Sequence, residues 1–234
     1  MKLGIGVEPA GAPNSLAGRV ALLRERISEA AVRSGRASDS VALLGVTKKH
    51  PREAVLEAIA AGLTDVGENY VQEAREKYAG LPPVRKHFIG HVQTNKAKAI
   101  VETFDVVQSI DRLDAGLAIA KASRSLGKPM HALIQVNISP AERFGIAPAD
   151  APALAARLRT DEGLAIDGVM AIGPVTDDRA EILRAFARAA ETFEAVGGDT
   201  LSLGMSGDWD EAIRCGSTMV RIGTAIFGER KYDE

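Results

Sequence analysis

Residues 41–51 read VALLGVTKKHP: a run of apolar, small and β-branched residues, then two lysines, a histidine and a proline. A strand with one wet face alternates polar and apolar residues, so an unbroken apolar run of this length predicts a strand covered on both faces. Pro51 suits the first position of a helix, with Val55 and Ile59 following at helical spacing and Gly62 as terminator. The same unit of strand, polar end and helix repeats down the chain. Further apolar runs are TDVGEN (64–69), KHFIGHV (86–92), DVVQSI (105–110), HALIQVNIS (131–139), LAIDGVMAIG (164–173), TLSLGMS (200–206) and TMVRIGTAIFG (218–228), which makes eight. Among the connectors, Asp111 is placed to cap a helix carrying Leu113, Leu117 and Ala120 and ending at Gly127 and Pro129. Asp177 or Asp178 opens another, with Leu183, Phe186, Ala190 and Phe193 inward and Gly197 at its end.

Continuously apolar strands joined by helices imply an α/β protein with a parallel sheet. Eight units in 234 residues fit a (β/α)8 TIM barrel, with a doubly wound sheet as the alternative arrangement. One extra helix precedes the repeats: Leu16, Val20, Leu23, Ile27 and Ala31 recur at helical spacing after two capping candidates, Asn14 and Ser15. Residues 1–13, interrupted by Gly and Pro, read as a flexible tail, and residues 14–234 as a single domain.

Composition excludes several functions. With 46% hydrophobic and 26% charged residues the chain is neither disordered nor fibrous. Twenty-nine basic residues against 31 acidic ones give a net charge of −2, which argues against a general binder of nucleic acid or anionic membrane. Aromatics at 4% leave little for a base-stacking surface. The single cysteine, Cys215, forms no internal disulfide and reads as a small buried hydrophobe, so a reducing, cytoplasmic location is expected. No signal-type segment opens the chain, no run of 18 apolar residues spans a bilayer, and no His/Cys/carboxylate spacing points to a metal.

In a barrel, function belongs to the C-terminal strand ends and the loops after them. Lys48 ends a buried run, where partial desolvation would lower its pKa and make the amine a better nucleophile toward a carbonyl. At the other end of the chain, Ser206-Gly207 closes the seventh run, and Arg221, Gly223 and Thr224 lie in the eighth. Loops after the last two strands of a barrel frequently cradle phosphate, since glycine admits backbone amides and a helix start favours an anion. An amine facing a phosphate cradle suits a phosphorylated aldehyde. Further polar strand ends are Glu68 and Asn69, His91 and Gln93, Gln108 and Ser109, and Asn137 and Ser139. His91 lies at a strand's C-terminal end and reads as pocket-lining, whereas His50, His87 and His131 read as structural.

The stretches LLGVTKKHP (43–51), VGENYVQE (66–73), HFIGHVQTNK (87–96), LIQVNIS (133–139), GVMAIGP (168–174), LSLGMSGDW (201–209) and GSTMVRIGTAIFGER (216–230) together resemble the pyridoxal 5′-phosphate homeostasis proteins. These are single-domain relatives of the alanine racemase barrel, the fold-type III group of proteins using pyridoxal 5′-phosphate (PLP). The resemblance implies that Lys48 forms the internal aldimine with PLP and that Ser206, Gly223 and Thr224 contact its phosphate. It further implies that Arg221 faces the pyridine nitrogen and that Asn69, His91 and Met170 line the pocket. An arginine there would keep the nitrogen unprotonated and weaken the ring as an electron sink. The resemblance thus implies a PLP carrier or buffer that delivers the cofactor to apo-enzymes, a monomer rather than a dimer, and no robust catalysis. A PLP-dependent racemase or lyase is the alternative. Such a racemase needs acid/base groups on both faces of the ring, one being a tyrosine reached through a second domain and dimer. The tyrosines here are Tyr70, Tyr78 and Tyr232, and eight units plus one helix occupy the whole length. A third possibility, a triose-phosphate type of barrel, would bind phosphate without a cofactor. The chain departs from the family in PAERFGI, where Arg143 stands in a loop expected to carry lysine.

Overall fold

All eight apolar runs contribute strands, and these close into one parallel barrel in sequence order, which sets aside the doubly wound alternative. A computed structural model describes residues 14–139, 144–162 and 164–229. The tail at 1–13, Arg143 and Tyr232 lie outside the described residues. The strands are β1 (Ala42–Val46), β2 (Asp65–Glu68), β3 (Arg85–Phe88), β4 (Val106–Ile110), β5 (His131–Val136), β6 (Ala165–Ala171), β7 (Thr200–Ser202) and β8 (Met219–Ile222). Closure is made by β1 and β8, in register at Gly45 and Ile222.

Around the barrel run α1 (Leu16–Arg33), α2 (Arg52–Ala60), α3 (Val71–Lys77), α4 (Ala97–Thr103), α5 (Leu113–Leu126), α6 (Ala151–Glu162), α7 (Arg179–Val196), α8 (Trp209–Arg214) and α9 (Thr224–Phe227). The leading helix has a structural reason. Because α9 after β8 is a single turn, it cannot cover its share of the barrel, and α1 packs against α2, α8 and α9 to complete the ring. Ser15 caps α1, its hydroxyl accepting the Gly18 amide at 3.0 Å, and Leu16, Val20, Leu23, Ile27 and Ala31 are buried as their spacing requires.

Several local expectations are corrected. Asp111 does not cap α5; the N-cap is Arg112, and the Asp111 carboxylate instead accepts from its guanidinium at 2.9 Å. The face α5 buries is Ala115, Gly116, Ile119, Ala120 and Ala122, with Leu117 only half-buried. Small residues win that face because α6 lies close: a Cβ at Gly116 would sit 2.6 Å from Leu158. Pro51 is the N-cap of α2 rather than its first residue. Asp178 caps α7, which buries Ile182, Ala185, Phe186 and Ala189 and leaves Leu183, Ala190 and Phe193 half-buried on its flank. β3 stops at Phe88 short of Val92, and AIFG (225–228) belongs to α9 and its cap rather than to a strand.

Strand alternation divides the core in two. Leu43, Val66, Phe88, Val107, Ile134, Val169, Leu201 and Val220 face the helices in one large apolar cluster. Inside the barrel, Leu44, Val46 and Met219 form a small separate cluster against Ala42 and Ile89. The rest of the lumen is polar. Asp65, His87, Gln108, Gln135, Ser202 and Arg221 are all buried, whereas barrels of this kind usually fill that space with branched aliphatic residues.

Candidate functional site

β1 places Lys48. Ala42, Leu44 and Val46 belong to the inner layer, so alternation points Lys48 inward, one step above Val46 at the C-terminal mouth. It is half-buried, consistent with a side chain rising from an apolar floor into an open mouth. Its neighbours on both sides are anchored. Thr47 faces outward, donating its amide to the Gly67 carbonyl at 2.9 Å, and its hydroxyl lies 2.7 Å from that of Tyr78. Lys49 turns the chain with φ 61°, is exposed, and donates its amide to Glu73 at 2.6 Å.

The outer anchor is ionic. The Lys77 ammonium donates to the Thr47 carbonyl at 2.6 Å, to Glu68 at 2.8 Å and to Glu73 at 2.7 Å. Burial pushes the Glu68 carboxyl above its usual value, against the pull of Lys77. Glu68, expected at the mouth, therefore faces the helices and acts on Lys48 only through the backbone that carries it. Asn69, the next residue of that segment, alternates to the mouth.

β8 places Arg221 in the inner layer beside β7. Its Nη1 donates to the Ser202 carbonyl at 2.6 Å and hydroxyl at 2.7 Å, and its Nη2 to the Ala171 carbonyl at 2.8 Å. Among the described residues its Nε has no hydrogen-bond partner. Arg221 is 5% exposed, and burial lowers its pKa to about 10, opposed by the carboxylate of Asp208, so the guanidinium stays charged at neutral pH. Met170 lies level with Ser202 in the β6–β7 register and is buried beside this arginine's strand partners.

The β8 end lies against β1. A Cβ at Gly223 would sit 3.4 Å from the Val46 carbonyl, so Gly223 and Thr224 border the strand that carries Lys48. Thr224 begins α9 and is exposed, and the amides at the start of any helix lack carbonyl partners within it. Ser206 and Gly207 are exposed in the neighbouring turn after β7. Arg179 holds that turn through the Gly207 carbonyl at 2.9 Å, and Asp208 holds it through the Met205 amide at 2.6 Å. Burial raises the Asp208 carboxyl's pKa.

Asn69 and His91 lie on the opposite side of the mouth, in a cavity of about 400 Å³ also lined by Tyr70, Lys96, Gln135 and Phe144. Gly90 lets these segments meet, since a Cβ there would sit 2.1 Å from the Asn69 carbonyl oxygen. His91 stacks on Phe144 at 4.0 Å and accepts from Arg112 on Nε2 at 3.2 Å, which leaves its proton on Nδ1 in the neutral ring. That Nδ1, 3.7 Å from Asp111, and the Oδ1 of Asn69 are buried without hydrogen-bond partners among the described residues.

Of the residues expected at the mouth, Lys48, Met170, Ser206, Arg221, Gly223 and Thr224 lie around β6 to β1 and Asn69 with His91 around β2 and β3, whereas Glu68 faces the helices. Sequence reading missed Asp208, Ser202 and the lumen partners of Arg221. For Ser202 a signal is visible, a polar residue inside the apolar run TLSLGMS, whereas Gln108 in DVVQSI reads as a polar strand end. Of the remaining histidines, His50, in the loop after β1, stacks on Phe227 of α9, and His131, at the start of β5, bonds Asp167 at 2.7 Å. Cys215 is half-buried, its thiol 3.8 Å from the Leu183 carbonyl, with burial raising its pKa. No group of metal-ligating side chains occurs among the described residues, and no described helix is long and apolar enough to cross a membrane.

The family model described as "Alanine racemase, N-terminal domain" matches residues 22–231. The pyridoxal phosphate homeostasis protein of Pseudomonas aeruginosa is 45% identical over 224 residues, covering 94% of this chain and 97% of that protein. The protein of the same name from Escherichia coli is 41% identical, covering 94% and 99%. Among solved structures, PipY of Synechococcus elongatus with PLP bound superposes with a TM-score of 0.79 at 35% identity, covering 92% of this chain and all of that one. An alanine racemase of Clostridium difficile shares the fold, with a TM-score of 0.69 at 14% identity, and this chain covers 58% of it. A closed barrel of the alanine racemase type and relatives this similar along nearly their whole length make the chain a member of the pyridoxal phosphate homeostasis protein family.

Proposed function

We propose that the chain binds PLP at the C-terminal mouth of the barrel, holds it reversibly through Lys48 and releases it to apo-enzymes, without robust catalysis. The observation that carries this reading is Arg221. A buried guanidinium whose Nη groups are engaged by Ser202 and Ala171, and whose Nε has no partner among the described residues, is a donor suited to an unprotonated pyridine nitrogen. The other residues fit the same group. Gly207 has open space where a Cβ would be, and the Ser206 turn and the start of α9 offer hydroxyls and backbone amides for phosphate. Met170, Asn69 and His91 would surround the ring. Bound there, the cofactor supplies an aldehyde carbon with which the Lys48 amine condenses, one C=N bond forming as one water leaves. Support from relatives is direct at the level of the ligand, since PipY at 35% identity was solved with PLP.

The chain's own residues argue for holding over turnover. Arg221 carries its positive charge where an electron-withdrawing ring would need a proton, so it restrains carbanion chemistry. Tyr78 is buried against Thr47 on the outer side of the barrel and cannot reach the mouth. Tyr70 is exposed and lines the cavity. That single observation keeps a racemase or lyase as the second reading.

Titrating the protein with PLP and recording its visible absorbance tests the first reading. A band that appears with the wild-type chain and not with Lys48→Ala is expected; the same band in both would overturn the role of Lys48. Exchange of the α-proton of amino acids in deuterated water separates the two readings. Sustained exchange lost in Tyr70→Phe would establish the enzyme.

A further inference from the structure

We infer that His87 and Gln108, on the far wall of the barrel, are positioning residues that brace Arg221 toward the cofactor through Ser202. The inference rests on the reading of Arg221 as the pyridine-facing group. Its basis is a buried hydrogen-bond chain that crosses the lumen.

Arg221 can only donate, so the Ser202 hydroxyl accepts from it at 2.7 Å and must send its own proton elsewhere. The acceptor is Gln108 Oε1, 2.8 Å away on β4, across the lumen from β7. That contact fixes the Gln108 amide. Its nitrogen then lies 3.0 Å from His87 Nδ1 and 3.2 Å from the Met219 sulfur, one N–H for each. With Nδ1 accepting, the His87 proton sits on Nε2 and is donated to the Asp65 carboxylate at 2.9 Å. The other Asp65 oxygen accepts the Thr64 hydroxyl at 2.7 Å. Every donor in the series points away from Arg221 and toward Asp65. Each dipole therefore turns its negative end to the guanidinium, and the bonds polarise one another in the same sense.

Ser202, Gln108 and His87 are at most 1% exposed, so no water competes for these bonds. Burial of the His87 ring favours its neutral form, the only one in which Nδ1 can accept from Gln108. The chain ties the guanidinium, already held by the Ser202 and Ala171 carbonyls, to a second wall of the barrel through the Ser202 hydroxyl. The apolar layer of Leu44, Val46 and Met219 does not provide such a directional tie.

Gln108→Leu cuts the chain, Ser202→Ala cuts it one bond nearer to Arg221, and Gln108→Glu keeps the acceptor for Ser202 while forcing His87 to take a second proton. In the wild-type protein without cofactor, ¹⁵N NMR should show a neutral His87 ring protonated on Nε2, and Gln108→Glu should convert it to imidazolium. With PLP, Gln108→Leu and Ser202→Ala should each weaken binding by about tenfold and shift the visible band, the loss of one buried hydrogen bond. Gln108→Glu should restore affinity to within about twofold, a difference well below one hydrogen bond. Should Gln108→Leu fail to fold, Ser202→Ala carries the test. Two results would overturn the inference: folded chain-cutting variants with wild-type affinity and band position, or a His87 ring protonated on Nδ1. A wild-type protein that gives no band with PLP would defeat the functional reading instead. The cofactor-free NMR would still report the chain, through slowed rotation of the Arg221 Nη groups that Ser202→Ala should release.

Discussion

The Lys77 ammonium lies 2.8 Å from the Glu68 carboxylate with both side chains out of water, and it also holds the carbonyl of Thr47, the residue before Lys48. The ion pair that fixes the backbone just before Lys48 is thus on the outer side of the barrel, away from the mouth. Removing one partner strands the other's charge. Lys77→Met should destabilise the fold by about 3–5 kcal/mol, whereas Lys77→Met with Glu68→Leu should recover most of that loss. Chemical denaturation of the two variants checks this, and equal losses would show that the pair is not coupled.

Lys48 and Lys49 are adjacent but face different surroundings, one rising from the inner layer and the other exposed at a left-handed turn. Lys48→Ala should remove the visible band of the PLP-loaded protein, and Lys49→Ala should keep it. Neither should change stability by more than about 0.5 kcal/mol, because both sites are at least partly exposed. Spectra and thermal melts of the pair decide it.

Arg221 satisfies two buried carbonyls and a buried hydroxyl. Arg221→Met leaves all three without their donor, so a loss of about 2–4 kcal/mol in stability is expected together with weaker PLP binding. A stable variant with unchanged affinity would remove the arginine from the site.

Stability should depend on His87 in mild acid. Burial depresses the folded-state pKa of its ring, while the unfolded ring titrates near 6.5. Below that value the unfolded chain binds the extra proton, so stability falls with pH until the folded ring also protonates. Asp65 adds a second loss at lower pH. Burial opposes its charge, but hydrogen bonds from His87 and Thr64 hold its carboxyl below the usual 3.8, and that contribution disappears as pH falls through the folded value. Urea midpoints measured from pH 7.5 to 5 should decline in the wild type and flatten in His87→Gln.

Two glycines at the mouth separate packing from ligand binding. Gly90→Ala would place a Cβ 2.1 Å from the Asn69 carbonyl oxygen and should cost about 1–3 kcal/mol. A Cβ at Gly207 meets nothing within 4 Å, so Gly207→Ala should leave stability nearly unchanged and weaken PLP binding by crowding the turn proposed to hold the phosphate. Melting temperature and affinity, measured on both, should move in opposite patterns.

Much of the site was legible because barrel topology converts strand order into position. Lys48 follows β1, Arg221 lies in β8 and Gly223 and Thr224 follow it, and closure makes these two strands neighbours. Glu68 was misplaced because VGE reads the same whichever face is inside, and the partner that draws it outward, Lys77, lies on the following helix. The cap at Asp111 failed for a similar reason, its carboxylate being taken by Arg112. His87 read as an ordinary strand histidine, since nothing near it in sequence reveals a glutamine and a serine across the lumen.

The sequence by itself determined the parallel α/β repeat, the number of units, the leading helix and the strand ends where chemistry collects, because apolar runs and helical spacing are local properties of the chain. Tertiary structure alone decided which side chains share the lumen. Strands buried on both faces show only short and broken polar alternation, and the contacts that fix their phase, such as Gln108 with Ser202, join residues whose separation only the closed barrel removes.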